Sequence, residues 1–193
     1  MTMTKKKEVR TLDITNIKTR NSENEPLKVS GYAAVFNSRT SIGNFFDEII
    51  SPGAFSKSIS NGDVRALYNH NWDKVLGRTK SGTLRLSEDE RGLKFEVDLP
   101  DTTAGRDLEI SMDRGDIDQC SFGFYVTDES WNYNEEPAVR TINEVELYEI
   151  TILALPAYED TEAHLVRSRE IDKTVETRIK LIQQINKTLG ETK

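Results

Sequence analysis

Residues 118–126 read Asp-Gln-Cys-Ser-Phe-Gly-Phe-Tyr-Val (DQCSFGFYV), an apolar run with one serine set among aromatic residues. Cys120, Phe122, Phe124 and Val126 fall on one side of a period of two, and Ser121, Gly123 and Tyr125 fall on the other, which predicts a half-buried β-strand. The serine then points away from the two phenylalanines. Gly123 lies on the serine's side two residues on, where a missing side chain leaves room for another backbone or a substrate to approach. A serine on the polar face of an amphipathic strand is common, so the rest of the chain decides what this one does.

Working outward, strand composition recurs along most of the chain. Strands are expected at Val9–Ile17, Leu27–Phe36, Val64–Tyr68, Thr83–Ser87 and Leu93–Leu99, the last two joined as a hairpin by the turn EDERG. FFDEII is expected to be a strand that runs into a helix, with Ser51 as cap, Pro52 at its first position, Phe55 and Ile59 on one face, and Asn61-Gly62 as its end. A second helix starts at Thr102 or Thr103, carries Ala104, Leu108 and Met112 on one face and stops at Gly115. Residues 128–137 read as a loop or hairpin tip, followed by strands at Val139–Ile142 and Val145–Leu155. The near-continuous run ITILAL inside the last strand predicts burial on both faces. From Glu170 an apolar stripe of Ile171, Val175, Ile179, Ile182 and Leu189 predicts an amphipathic helix that covers a core or a partner helix. The chain is therefore mainly β with a few helices, an α+β protein.

One hundred and ninety-three residues suit a single domain with tails, large enough to bury a core without disulfides. Thirty-one per cent charged residues and a net charge of −7 argue against broad nucleic-acid binding. One cysteine, Cys120, permits no internal disulfide, and two histidines provide no cluster at zinc-ligand spacing. No run of eighteen apolar residues exists and the start MTMTKKKEVR resembles no signal peptide, so a cytosolic protein without membrane contact is expected.

The candidate chemistry is the inventory of a serine hydrolase. A serine hydroxyl needs an adjacent base to take its proton, and an imidazole base needs an acceptor on its other nitrogen to fix its tautomer. His70 sits just past the end of the strand Val64–Tyr68, at a loop edge that can lean over a cleft. Glu149 or Glu146 can supply the acceptor. Three residues apart on a regular strand, they would face opposite ways, so only one can serve. Cys120 falls on the other face from Ser121 and reads as a small buried hydrophobe.

Six blocks together resemble the prohead proteases of tailed bacteriophages, the head-maturation serine proteases related to herpesvirus assemblins. They are GYAAVFN at 31–37, ISPGAF at 50–55, LYNHNWDKVLGRT at 67–79, EDERGLKF at 88–95, SFGF at 121–124 and ELYEITILALPAY at 146–158. The resemblance spans roughly residues 10–160 in order. It implies Ser121 as nucleophile, His70 as base and, by local pattern, Glu149 ahead of ITILAL as third member. His164 lies beyond the matched blocks and reads as an exposed residue, and oxyanion donors are expected near Pro156–Tyr158.

The fold implied is a closed, mostly antiparallel β-barrel flanked by a few helices, as in the assemblins. Residues 1–9 would be a flexible tail, 10–165 the protease domain and 166–193 a helical tail for packaging or self-processing. The activity implied is endopeptidase cleavage of the major capsid protein precursor and scaffold segments inside the prohead, in the host cytoplasm, with no cofactor or metal and with a homo-oligomer left open. The rival is a non-catalytic head-assembly or scaffolding protein on the same fold.

Overall fold

The computed structural model describes residues 7–13, 18–20 and 27–154. In chain order the elements are β1 (Lys7–Asp13), β2 (Lys18–Arg20), β3 (Lys28–Val35), β4 (Thr40–Ile42), β5 (Phe46–Ile50), α1 (Ser56–Asn61), β6 (Arg65–Tyr68), β7 (Asn71–Arg78), β8 (Leu84–Glu88), β9 (Gly92–Asp98), α2 (Thr103–Asp113), β10 (Gln119–Asn132) and β11 (Val139–Leu153). The expected mainly β protein with a few helices is what forms.

The long hairpin β10–β11 is the spine. β1 pairs antiparallel with the free edge of β10, while β11 shares its outer edge between two strands. Val139–Ile142 pair in parallel with β5, and Glu149–Ile152 pair in parallel with β6. β4 and β7 extend β5 and β6 by antiparallel pairing. A second sheet runs β2-β3-β9-β8, antiparallel throughout. Among the described residues no strand pairing joins the two sheets, so the expected closed barrel is replaced by two facing sheets. Alternation along a strand reports its faces but carries no information about which edges meet.

The core lies between them. Val29, Leu93, Phe95 and Val97 of the second sheet and Phe122, Phe124, Ile150 and Ile152 of the first are fully buried in one cluster. Phe55 closes one end, with its ring 5.6 Å from that of Phe122. α2 adds Leu108 and Met112, and begins where the Thr102 hydroxyl accepts a hydrogen bond from the Gly105 N–H at 3.3 Å. Gly115, at φ 78°, ends the turn after it, as the sequence predicts.

Five local expectations change. α1 starts at Ser56 rather than at Pro52, because its cap comes from a distant strand. The Glu88 carboxylate accepts from the Phe55 N–H at 3.0 Å and from the Ser56 hydroxyl at 2.6 Å. β10 continues through residues 128–132, inside the stretch expected to be a loop or hairpin tip, and β11 is one strand of 15 residues where two were expected. β7 was not anticipated: Trp72, Asp73, Lys74 and Val75 are all exposed, so this edge strand shows no alternation. β1 begins at Lys7, inside the stretch expected to be a tail. The amphipathic helix expected after Glu170, the tail 166–193 and the strand end expected at Leu155 lie outside the described residues.

β1 is held by a buried ionic network. Arg140 donates to Glu8 at 2.8 and 2.9 Å and to Glu48 at 3.0 Å, while Arg10 donates to Glu48 at 2.6 and 2.7 Å and to Glu8 at 2.7 Å. Burial by itself would raise the Glu8 carboxyl, but the hydrogen bonds and charges of Arg140 and Arg10 outweigh it and hold the group down at about 2. A folded-state value depressed below the ordinary 4.5 contributes stability that is present above 4.5 and is lost as pH falls toward 2. The contribution is on the order of 3 kcal/mol. Denaturant unfolding of wild type and Glu8→Gln should therefore show a stability gap that is widest above pH 5 and narrows steadily below pH 4.5. A gap independent of pH would contradict the assignment.

Candidate active site

The site is built on β10, β11 and the turn between β6 and β7. Tyr68 pairs with Asn71, which leaves Asn69 and His70 as a two-residue hairpin loop with φ of 50° and 54°. Both residues sit in the left-handed region that such a tight hairpin loop requires, and Asn and His tolerate it better than most. The turn is pinned to the end of β11: the Asn69 N–H donates to the Ile152 carbonyl at 3.0 Å, and its side-chain oxygen accepts from the Ala154 N–H at 3.4 Å. His70 thus hangs over the neighbouring strands from a fixed backbone.

Beneath it lies Ser121. Its Oγ is 3.0 Å from His70 Nε2, and His70 Nδ1 is 3.0 Å from Glu149 Oε1. The three residues named from sequence meet in one chain of hydrogen bonds. With a carboxylate at Nδ1, that nitrogen carries the proton and Nε2 presents its lone pair to the serine hydroxyl. Glu149 is 4% exposed, a buried carboxylate whose partner is the imidazole.

Two expectations about this face are corrected. Ser121 was expected on a solvent-facing side, yet it is 0% exposed. The row Thr11, Ser121, Thr151 and Leu67 crosses four paired strands, and Thr151 and Leu67 are fully buried too, so Ile150–Leu153 of the ITILAL run are buried on both sides as expected, while Ala154 is exposed and Leu155 lies outside the described residues. The second correction concerns Glu146 and Glu149. Gly123 pairs with Glu149 while Phe124 pairs with Leu147, so Tyr148 is an extra residue, a β-bulge. The bulge shifts the alternation by one: Val145 and Leu147 face the core before it, and Ile150 and Ile152 after it. Glu146 and Glu149 therefore share a face. Glu146 stands exposed opposite Tyr125, whereas Glu149 reaches the histidine.

The bulge also fills the space expected over Gly123. A Cβ there would lie 2.6 Å from the Cζ and Oη of Tyr148, whose ring stacks on Trp72 at 6.5 Å and leans on Tyr125 at 5.2 Å. Lys7 and Arg65 sit over this aromatic strip, 4.9 Å from the Tyr148 centroid and 5.9 Å from that of Trp72. Gly123 is needed for a tyrosine ring rather than for a substrate backbone. Gly123→Val should displace Tyr148 and lower stability by about 1–3 kcal/mol, in the range of overpacked interiors. In thermal melts, adding Tyr148→Ala should recover part of the loss. A Gly123→Val protein that melts like wild type would refute the contact.

Cys120 is fully buried on the opposite face, and burial pushes its thiol up to about 12, where it carries no nucleophilic thiolate at neutral pH. Among the described residues no group of three or more His, Cys, Asp or Glu side chains is placed to hold a metal ion, and no helix is long and apolar enough to cross a membrane. His164 and Pro156–Tyr158 lie outside the described residues. Sequence reading missed Tyr148, Asn69 and Thr151. The one available signal was the apolar spacing, which slips from two to three between Leu147 and Ile150.

The family model described as caudovirus prohead serine protease matches residues 15–177. Among solved structures, the capsid assembly protease of bacteriophage T4 is similar at a TM-score of 0.47 and 10% identity, covering 78% of this chain and 98% of that one. No curated protein matches the sequence.

Proposed function

Because the chain belongs to the caudovirus prohead serine protease family, we propose that it is a head-maturation endopeptidase with Ser121 as nucleophile, His70 as general base and Glu149 as the orienting carboxylate. The observation that carries this reading is the continuous relay from Glu149 through His70 to Ser121, with both links at 3.0 Å. In the first half-reaction His70 Nε2 takes the Oγ proton as Oγ bonds to the scissile carbonyl carbon. The imidazolium then gives that proton to the leaving amine as the C–N bond breaks. Glu149 stabilises the imidazolium while it exists. Water, deprotonated by the same nitrogen, then hydrolyses the acyl-enzyme and releases Ser121. The oxyanion donors proposed near Pro156–Tyr158 fall outside the described residues.

The substrates in this reading are the capsid protein precursor and scaffold segments, cut inside the prohead as it assembles in the host cytoplasm. The catalytic domain would begin with β1 at Lys7 and run to about residue 165, with 166–193 a tail for packaging or self-processing, and the two-sheet arrangement would be a relative of the assemblin architecture. Co-expression with the matching capsid protein precursor tests it. Wild type should yield shortened subunits, and Ser121→Ala should leave them intact. Subunits left uncut by wild type in assembled proheads would favour a non-catalytic assembly protein.

A further inference from the structure

We propose that Thr151 is a positioning residue that donates a hydrogen bond to the second oxygen of Glu149 and so fixes the carboxylate against His70. The proposal rests on the triad reading given above. Glu149 Oε1 is engaged by His70, but Oε2 is buried and has no hydrogen-bond partner among the described residues. The Thr151 hydroxyl is likewise buried without a partner among the described residues, on a residue that is 0% exposed. The two stand two residues apart on β11, beyond the bulge, where the strand is regular, so their side chains leave the same face.

Each group lacks what the other supplies. An ionised carboxylate is an acceptor only, and a threonine hydroxyl carries a donor that turns between staggered positions. Leaving both unpaired in a buried site is costly, and the cost is greater for the charged oxygen. A rotation of the Thr151 side chain that brings its O–H to Oε2, directly or through one bridging solvent molecule, satisfies both. Thr151 is also the register partner of Ser121, which places this contact directly beside the nucleophile. Thr151 touches neither substrate nor the reacting oxygen in this scheme. Its effect passes through Glu149 to the imidazole, whose orientation and charge matter most in the transition state, so its loss should appear in kcat rather than in KM.

The test uses the full chain, with a peptide taken from a mapped capsid-precursor cut and a fluorophosphonate probe for Ser121. Thr151→Val keeps the volume and the branching while removing the donor. It should lower kcat about tenfold with KM unchanged, the size expected for a hydrogen bond to a charged group. Thr151→Ser should restore most of the rate. In a Glu149→Gln background the same Thr151→Val change should slow probe labelling by less than about twofold, because its route of action is gone. Wild-type kcat in Thr151→Val, an equal cost in both backgrounds, or no rescue by serine would each overturn the proposal. Loss of the triad reading itself has a different signature, a Ser121→Ala protein that still cuts.

Discussion

Ser121→Ala is expected to lower kcat/KM for peptide cleavage by at least about 10⁴-fold, and His70→Ala by a comparable factor. In the proposed mechanism the first change removes the atom that would form the acyl bond. The second leaves a hydroxyl whose proton has no acceptor at the 3.0 Å distance the imidazole now occupies. Because the two act as a unit, the double variant should be no slower than the slower single one. Glu149→Gln should retain more activity than either, since the amide still contacts Nδ1 but cannot stabilise the imidazolium. Structural damage is separable from catalytic loss. Ser121 lies in a strand where alanine fits without strain, so the Ser121→Ala protein should melt within a few degrees of wild type. Capsid-precursor peptide cut by Ser121→Ala at more than about a hundredth of the wild-type rate would sink the assignment.

The second large effect concerns folding. Arg140 is 6% exposed and faces Glu8 and Glu48, which are 7% and 3% exposed, so Arg140→Met would leave two buried carboxylates with Arg10 as their remaining guanidinium. Breaking a buried ion pair by deleting one partner costs about 3–5 kcal/mol, because the residual charge cannot be resolvated. For a chain of this size that corresponds to a fall in melting temperature of roughly 10 °C. A second change, Glu48→Gln, removes the excess negative charge and should return part of the loss. The consequence reaches the site, because the network ties β1 to β5 and β11, and β1 carries Thr11 beside Ser121. Activity of Arg140→Met should therefore fail at a lower temperature than that of wild type. An unchanged melting temperature would show that the network contributes little.

Much of the site was legible in the sequence because its signals are local. The period of two around Ser121 marked a strand and placed Cys120 and the phenylalanines on the other face. His70 stood out because Asn-His after a short strand is turn chemistry, and the structure gives that turn two left-handed residues. The hairpin of β8 and β9 and the capped helix α2 were equally visible, each defined by residues within a few positions of one another.

What the sequence could not supply is pairing. Glu88 capping α1, β5 and β6 dividing the edge of β11, and the two-sheet arrangement in place of a barrel all join residues far apart in the chain. The sequence alone named Ser121, His70 and a choice of two carboxylates, Glu149 or Glu146. That Glu149 faces His70 at all was decided by the bulge at Tyr148. On an unbroken strand Glu149 would share the core face of Val145 and Leu147, and only the register against β10 inserts the extra residue that turns it to the other side.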